Sequence, residues 1–384
     1  MTLWQKLKSF KWNHYVNYIV IGALTLVLGI LTLTGAKING ALLILMEKMG
    51  IAAILAVSLS LVVGFLGELS LGHAGFMCVG AYLGGKISVL FVSTLGLPPF
   101  VALLLSLIVG AGAAAICGFI IGLPALRLRG DYLAIVTLAF GEIVRSLFRN
   151  APEAWFGGTM ALNTPRYNKN SLFLVIFVLL LLTLAVLQNF LRSKHGRAVT
   201  AIRDNEIAAR ATGVNVTKYK LLAFTISAAF AGIAGVLYSW SNNTVQNKIF
   251  DYNYSIEILV MVVLGGMGNI NGAIISAALI TWLNTKLPIW LPGDLAPLKN
   301  IIYAVILIAI IIYSNAPALK GFRNRYNVHT LIHKITKKKR DPAQIKDDAA
   351  KWDVVPTKIE MNEVLSTDVV PQDFSTSKQS GGEQ

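Results

Sequence analysis

The sequence RSKHGRAVTAIRDNEIAARATGVNVTKYK, residues Arg192 to Lys220, is the one long hydrophilic stretch between strongly apolar segments. We call it the basic island. Its only acids are Asp204 and Glu206, and its basic residues are Arg192, Lys194, Arg197, Arg203, Arg210, Lys218 and Lys220. An excess of basic residues beside membrane spans marks the cytoplasmic side. We therefore expect the island to face the cytoplasm.

The centre of the island favours a helix. Residues 198–212 include good helix formers and contain neither proline nor glycine, and Gly213 then supplies a left-handed stop. The pattern predicts one short helix lying outside the bilayer. The alternative is an ordinary basic loop that only fixes the topology.

The composition of the chain predicts an all-α polytopic membrane protein. Of its 384 residues, 55% are hydrophobic and only 14% are charged. Several runs reach the roughly 20 apolar residues that cross about 30 Å of hydrocarbon. The formal net charge of +15 would suggest nucleic acid in a soluble protein. Here the charges flank the spans, where topology already explains them, so we expect no nucleic-acid partner.

The number of passes follows from the apolar segments and the basic flanks. The window rule gives about nine segments. They run approximately over 17–34, 41–65, 73–91, 98–123, 131–148, 171–191, 219–240, 255–284 and 299–314. The tail from Lys320 to Arg340 is basic with no acid, so we expect it to be cytoplasmic like residues 1–16. Nine complete crossings cannot place both ends on one side.

Glycine-rich breaks resolve this parity problem. Residues 265–272, GGMGNING, interrupt the eighth segment, so we expect a hairpin there and about ten passes in total, including short or broken helices. A similar patch, GELSLGHAG, occupies residues 67–75. Two such breaks, one in each half of the chain, fit the discontinuous helices of a transport pathway. The predicted pathway residues are Ser70, Gly72, His73, Gly265, Gly266, Gly268, Asn269 and Asn271.

These features divide the chain into three parts. We expect a cytoplasmic N-terminus over residues 1–16, with an uncleaved first span following it. A transmembrane domain, 17–315, contains the cytoplasmic loop 192–220. The tail, 316–384, is basic and then acidic, and its composition predicts disorder.

Motifs for catalysis or metal binding are missing from the sequence. It contains no GxxxxGK[ST] phosphate loop, HExxH, GxSxG or metal-spaced cluster of Cys and His. Cys78 and Cys117 lie inside apolar segments without a CxxC, which favours helix packing. We therefore expect a protein that is not an enzyme, with no metal or cofactor and no ATPase motif of its own. Its energy must come from a partner or from an ion gradient.

Three ionisable sites within the apolar segments have open interpretations. Glu142 and Arg145 are three apart, so they can pair on one helical face or contact a substrate. Glu257 begins the eighth segment, where it can stay solvated or meet an ammonium group. His73 can be a proton relay or a hydrogen-bonded packing residue.

Four blocks of sequence resemble one known family. Together they look like the signature blocks of the branched-chain amino-acid permeases of ABC transporters, LivM type, and the match covers roughly residues 13–314 in the right order. The blocks are GELSLGHAGFMCVGAYLGG (67–85), LRGDYLAIVTLAFGEIVRSL (128–147), GRAVTAIRDNEIAARATGVNVTKYKLLAFTISAAFAGIAGVLYS (196–239) and SIEILVMVVLGGMGNINGAIISAALI (255–280).

The resemblance implies a permease subunit of a bacterial ATP-driven importer in the cell membrane. It implies a second homologous permease, two cytoplasmic ATPase subunits and an extracytoplasmic substrate-binding protein as partners. The implied cargo is leucine, isoleucine and valine. Related permeases import urea or short amides, and a gradient-driven secondary carrier remains a further alternative.

The resemblance also implies a role for the basic island. EIAARATG, residues 206–213, is similar to the loop through which importer permeases dock on their ATPases, although Ile207 intervenes between the Glu and the Ala pair. The implied coupling residues are Arg203, Asp204, Glu206, Ala208, Ala209, Arg210 and Gly213.

Overall fold

The computed structural model describes residues 39–290, except 127, 129, 166 and 168, together with the single positions 21, 22, 25, 29, 304, 305, 308 and 312. All of them belong to one compact unit, Met1–Ser314. The predicted first and last spans, both chain ends and the tail lie mostly or wholly outside the described residues.

The described chain is almost entirely helical, as the composition predicts. The helices are α1 Gly40–Ser60, α2 His73–Val89, α3 Pro99–Ala125, α4 Asp131–Asn150, α5 Glu153–Phe156, α6 Lys169–Arg192, α7 Lys194–Asp204, α8 Glu206–Ala211, α9 Val216–Asn242, α10 Tyr252–Gly265 and α11 Ile270–Trp290. Leu61–Leu66 and Leu90–Thr94 prolong α1 and α2 as π-helical turns, and Asn247–Ile249 is a 3₁₀ turn. β1 (Leu162–Asn163) and β2 (Thr244–Val245) pair antiparallel.

Six helices within the described part of the chain are long and apolar enough to cross a membrane. They comprise α1, α2, α3, α6, α9 and α11, while α10 is shorter. This confirms a multi-pass all-α membrane protein. The count of ten passes stays a prediction.

Small residues place α2, α3 and α9 against one another. A Cβ at Gly80 would lie 2.2 Å from the carbonyl oxygen of Gly232, and one at Gly235 would lie 2.1 Å from that of Met77. A Cβ at Gly118 of α3 would lie 2.5 Å from the Cβ of Ala228 in α9. Only residues without bulky side chains let helix backbones approach this closely. The centre of the bundle is therefore α9, which packs on both neighbours.

Both predicted breaks are present. The π-helical end of α1 stops at Gly67, whose φ of +79° is left-handed, and α2 begins at His73. The second break separates α10 from α11, with Gly266 at φ +90° and Gly268 at φ +81°. L-residues with side chains avoid this region, so the chain turns at these glycines. The eighth apolar segment is thus the helical hairpin that the parity argument predicts.

The prediction of a single helix over residues 198–212 of the basic island is wrong. The chain forms α7 and α8, with Asn205 in an extended conformation between them at φ −159°. The Asn205 side chain accepts a hydrogen bond from the Ala208 N–H and so caps α8. Asparagine competes for the backbone in this way, which makes it a good N-cap and a poor helix-interior residue. The predicted stop at Gly213 is confirmed by its φ of +85°.

Polar contacts link α4 to the start of α10 at the end of the bundle opposite the island. Arg145 forms an ion pair with Glu142 at 3.0 Å and donates to the Asn247 carbonyl. Glu142 also accepts from the Tyr252 N–H. The pairing interpretation of Glu142 and Arg145 is therefore correct, and the pair ties α4 to the start of α10.

Candidate functional site

Arg203, at the end of α7, touches both helix breaks. Its Nη1 donates to the Gly64 carbonyl at 3.1 Å, just before the first break. The same Nη1 lies 3.6 Å from the Cβ position of Gly268 in the second break. The rest of its guanidinium is held by Asp204, at 3.0 Å. One side chain of the island thus contacts two breaks that are about 200 residues apart in the sequence.

The π-helical end of α1, just before the first break, also touches the second break directly. A Cβ added at Gly64 would lie 2.5 Å from the Gly268 backbone nitrogen, so only glycine fits at position 64 without a shift. Within the second break, a Cβ at Gly265 would lie 2.3 Å from the Gly272 carbonyl carbon. The glycines therefore allow position 64 to pack against the turn at Gly268, and α10 to pack closely against α11 across the second break.

Lys220 makes a second link between the island and the first break. Its ammonium bonds to the Glu68 carboxylate within the break and to the Glu206 carboxylate of α8, the latter at 3.2 Å. Glu206 also pairs with Arg210 at 2.9 Å. The Lys220 side chain is only 4% exposed and that of Glu68 13% exposed. A charge buried this deeply is stable only when it is paired, so α8, α9 and the first break are bound together.

A cavity of about 430 Å³ lies beside this junction. It is lined by Gly268, Asn269 and Asn271 of the second break, together with Phe65 at the π-helical end of α1 and Arg192 from the island. The Asn269 side chain accepts from the Gly272 N–H and caps α11. Three of the predicted pathway residues therefore share one open space with the island.

The other predicted pathway residues lie deeper in the bundle. His73 is 2% exposed, and its Nε2 is 2.8 Å from the Ser58 hydroxyl, which supports the packing interpretation. A Cβ at Gly72 would lie 2.4 Å from the Thr137 carbonyl oxygen. Ser70 is buried, and its hydroxyl has no hydrogen-bond partner among the described residues. The structure therefore does not bring these three residues to the cavity beside Arg203.

The short helix α8 divides its alanine pair between two environments. Ala209 is buried, whereas Ala208 is exposed. Ile207 is 77% exposed. The exposed face of α8 thus presents an apolar side chain and a small one at a tip fixed by Lys220 and Gly213.

Sequence reasoning missed Glu68, Lys220 and Gly64. Glu68 and Lys220 each sit at the edge of an apolar segment, where an ionisable group needs a partner. The free-energy cost of an unpaired charge at these positions was the available signal. It does not show that the partner of Glu68 is Lys220, 152 positions away. Gly64 lies inside an apolar run and gives no signal of its own.

The sequence of this chain is similar to those of known transport permeases. The family model described as "Branched-chain amino acid transport system / permease component" matches residues 41–311. The high-affinity branched-chain amino acid transport system permease protein LivM of Salmonella typhimurium is 39% identical over 258 residues, and that of Escherichia coli is 38% identical over the same length. In both cases the match covers 59% of this chain and 59% of the relative.

A more distant relative matches more of the chain. The ribose import permease protein RbsC of Escherichia coli is 25% identical over 293 residues, which cover 71% of this chain and 84% of that protein. No solved structure matches this chain.

Proposed function

This chain belongs to the branched-chain amino acid transport permease family, and we propose that it is the transmembrane permease subunit of an ATP-driven importer for leucine, isoleucine and valine. The proposal takes its substrate class from the names of the LivM relatives. It places the protein in a bacterial cell membrane with both termini and the basic island in the cytoplasm.

The proposed assembly contains four kinds of contact. One is with membrane lipid, and the others are with a second homologous permease, two ATPase subunits at the island and a substrate-binding protein on the opposite face. Exposed apolar residues of α3, such as Ile108 and Ile116, supply a surface for lipid or for the second permease. The exposed Ile207 and Ala208 of α8 supply a small contact for an ATPase.

One observation carries the coupling role: Arg203 of the island donates a hydrogen bond to the Gly64 carbonyl at the first break and packs against Gly268 of the second. A displacement of α7 and α8 by an ATPase pulls on the Gly64 carbonyl and on the turn at Gly268. Lys220 transmits the same displacement to Glu68. Because packed elements have discrete arrangements, such a shift favours a second state of the breaks and changes which side of the membrane the pathway opens to.

In this mechanism the remaining coupling residues have distinct roles. Asp204 orients Arg203, and Glu206 holds Lys220 and Arg210. Gly213 fixes the exit from α8. The pathway residues Gly265, Gly266, Gly268, Asn269 and Asn271 form the moving turn, while Ser70, Gly72 and His73 lie where the first break enters the core. Urea transport and gradient-driven transport have no specific observation in their favour.

The test is uptake of labelled leucine by cells that express the chain with its partner subunits. An Arg203→Glu, Gly213→Pro variant reverses the charge at the junction and removes the left-handed stop. We expect uptake to vanish and the ATPases to stop co-purifying, while the protein still inserts in the membrane. The control is Lys194→Glu, which makes the same charge reversal at the opposite, exposed end of α7. We expect it to keep most of the uptake.

Persistence of uptake in the double variant would show that the island only sets topology. A gradient-driven carrier would then be the better account. Failure of the unmodified assembly to take up leucine, under conditions where it inserts and hydrolyses ATP, would reject the proposed cargo.

A further inference from the structure

A second cavity, which we call the polar cavity, lies at the end of the bundle opposite the island. It has a volume of about 470 Å³ and is enclosed by α1, the last turn of α9, α10 and α11. Lys220 and Tyr238 stand 18 residues apart on α9, which places the two regions about 27 Å apart at 1.5 Å per residue. Ligand cavities typically measure about 300–1,000 Å³, so the polar cavity is large enough for an amino acid.

The lining of the polar cavity contains a single acid and a single base, Glu257 and Lys48. Glu257 accepts a hydrogen bond from the Asn284 side chain. It forms no ion pair with any residue that the structure describes, and Lys48 is not within 4.0 Å of it. A half-buried carboxylate among apolar helices is costly without a cation, and such groups are usually functional.

The rest of the lining is divided between polar and apolar groups. Asn242, Thr281 and Thr285 supply hydrogen-bonding side chains, while Ile51 and Met261 supply apolar surface. A ligand that satisfies this lining needs an ammonium group for Glu257, an anionic group for Lys48 and an apolar body. These are the three parts of a zwitterionic α-amino acid with a hydrocarbon side chain.

We propose that the polar cavity is a binding site for a zwitterionic apolar α-amino acid, with Glu257 pairing its ammonium group and Lys48 its carboxylate. This inference rests on the proposed function, because it supplies the site at which the permease receives its cargo. The proposal assigns amino-acid binding and ATPase coupling to different ends of the bundle, since Glu257 and Lys48 lie at the end opposite Arg203 and Lys220.

The first test compares Glu257→Gln with the unmodified chain in the assembled transporter, reconstituted in vesicles. Gln keeps the size and the acceptor for Asn284 but loses the charge. We expect leucine uptake to fall at least about tenfold, because charge-assisted hydrogen bonds are roughly twice as strong as neutral ones. The rate of ATP hydrolysis stays within about twofold, since the junction is intact. The matched control is Glu153→Gln, which removes an exposed carboxylate outside the cavity.

A second measurement does not depend on the folding of the Glu257 variant. Thr285→Cys places a thiol on the wall of the polar cavity, and its rate of alkylation is followed with and without L-leucine. We expect leucine to slow alkylation at least about threefold, and leucinamide and 4-methylpentanoate to do so much less, because each lacks one of the two charges. The unmodified chain, whose Cys117 is partly buried, gives the background.

The outcomes separate the two proposals. Leucine uptake by the unmodified assembly with equal uptake by Glu257→Gln, or equal alkylation with and without leucine, would overturn the amino-acid site and leave the proposed function standing. Equal protection by leucine and leucinamide would also overturn it, because the carboxylate would then have no role. Absence of uptake by the unmodified assembly would instead count against the proposed function.

Discussion

At the island end of the bundle, Glu68 and Glu206 are both bonded to Lys220, whereas at the opposite end Glu257 has no cation among the described residues. The first arrangement binds three elements of the chain into one unit. The second leaves a charge in a cavity with room for a ligand. Buried charges that satisfy one another serve structure and transmission, while a charge left for an outside partner serves recognition.

The largest effect is expected for Lys220→Met. It leaves the Glu68 carboxylate, 13% exposed, without its cation, so we expect a loss of about 3–5 kcal/mol in the free energy of unfolding. Thermal unfolding of the purified protein in lipid nanodiscs measures it. The control is the Glu68→Gln, Lys220→Met double variant, which removes both charges and should recover much of the loss. A single variant as stable as the unmodified chain would show that the pair is not structurally important.

The next effect concerns the link to the breaks. Arg203→Gln removes the hydrogen bond to the Gly64 carbonyl, and we expect leucine transported per ATP hydrolysed to fall about tenfold. Stability should fall by only about 1 kcal/mol, because the Arg203 side chain is 39% exposed. Simultaneous assays of uptake and phosphate release measure the ratio.

A matched arginine tests whether position matters more than charge. Arg210 is 63% exposed, and among the residues that the structure describes it pairs with Glu206 alone, on the same short helix. We expect Arg210→Gln to change the transport ratio less than twofold, since exposed pairs contribute about 0–1 kcal/mol. Equal losses in the two variants would point to a general charge effect.

A smaller effect is expected at the stop of α8. Gly213 has a φ of +85°, and a Cβ there would meet nothing within 4 Å. Gly213→Ala should therefore cost about 1–2 kcal/mol of stability through the backbone alone. Gly112 of α3 also has open space but no positive φ, so Gly112→Ala should stabilise the protein by about 0.5–1 kcal/mol. The same thermal assay compares the two variants. A change of stability in the same direction for both would contradict this reasoning.

The smallest stability effect is expected at the polar cavity. Glu257→Gln removes a charge that has no cation in the described chain, so we expect an unfolding temperature equal to or slightly above that of the unmodified protein. The same variant is expected to lose uptake. A marked loss of stability would mean that Glu257 has a structural partner, and the contrast with Lys220 would disappear.

Much of the fold could be read from local patterns. Lengths of apolar sequence predicted the helices, and the glycines at 67, 213, 266 and 268 marked the turns because L-residues with side chains avoid positive φ. The composition and basic island predicted a membrane protein, and Glu142 with Arg145 was correctly interpreted as a pair. The prediction of a single helix in the island was wrong because asparagine is favoured at an N-cap and disfavoured inside a helix, and Asn205 caps α8.

Composition, spacing and glycine conformation were enough to predict the class of the protein, the positions of its two breaks and the family that its four sequence blocks resemble. The packing of the helices, which local patterns do not give, brings Arg203 to both breaks and Lys220 to Glu68. It alone placed Lys48 and Glu257 around one cavity. The physical reason is that pairing and enclosure depend on distances across the bundle, and a helix pattern fixes only neighbours three or four residues apart.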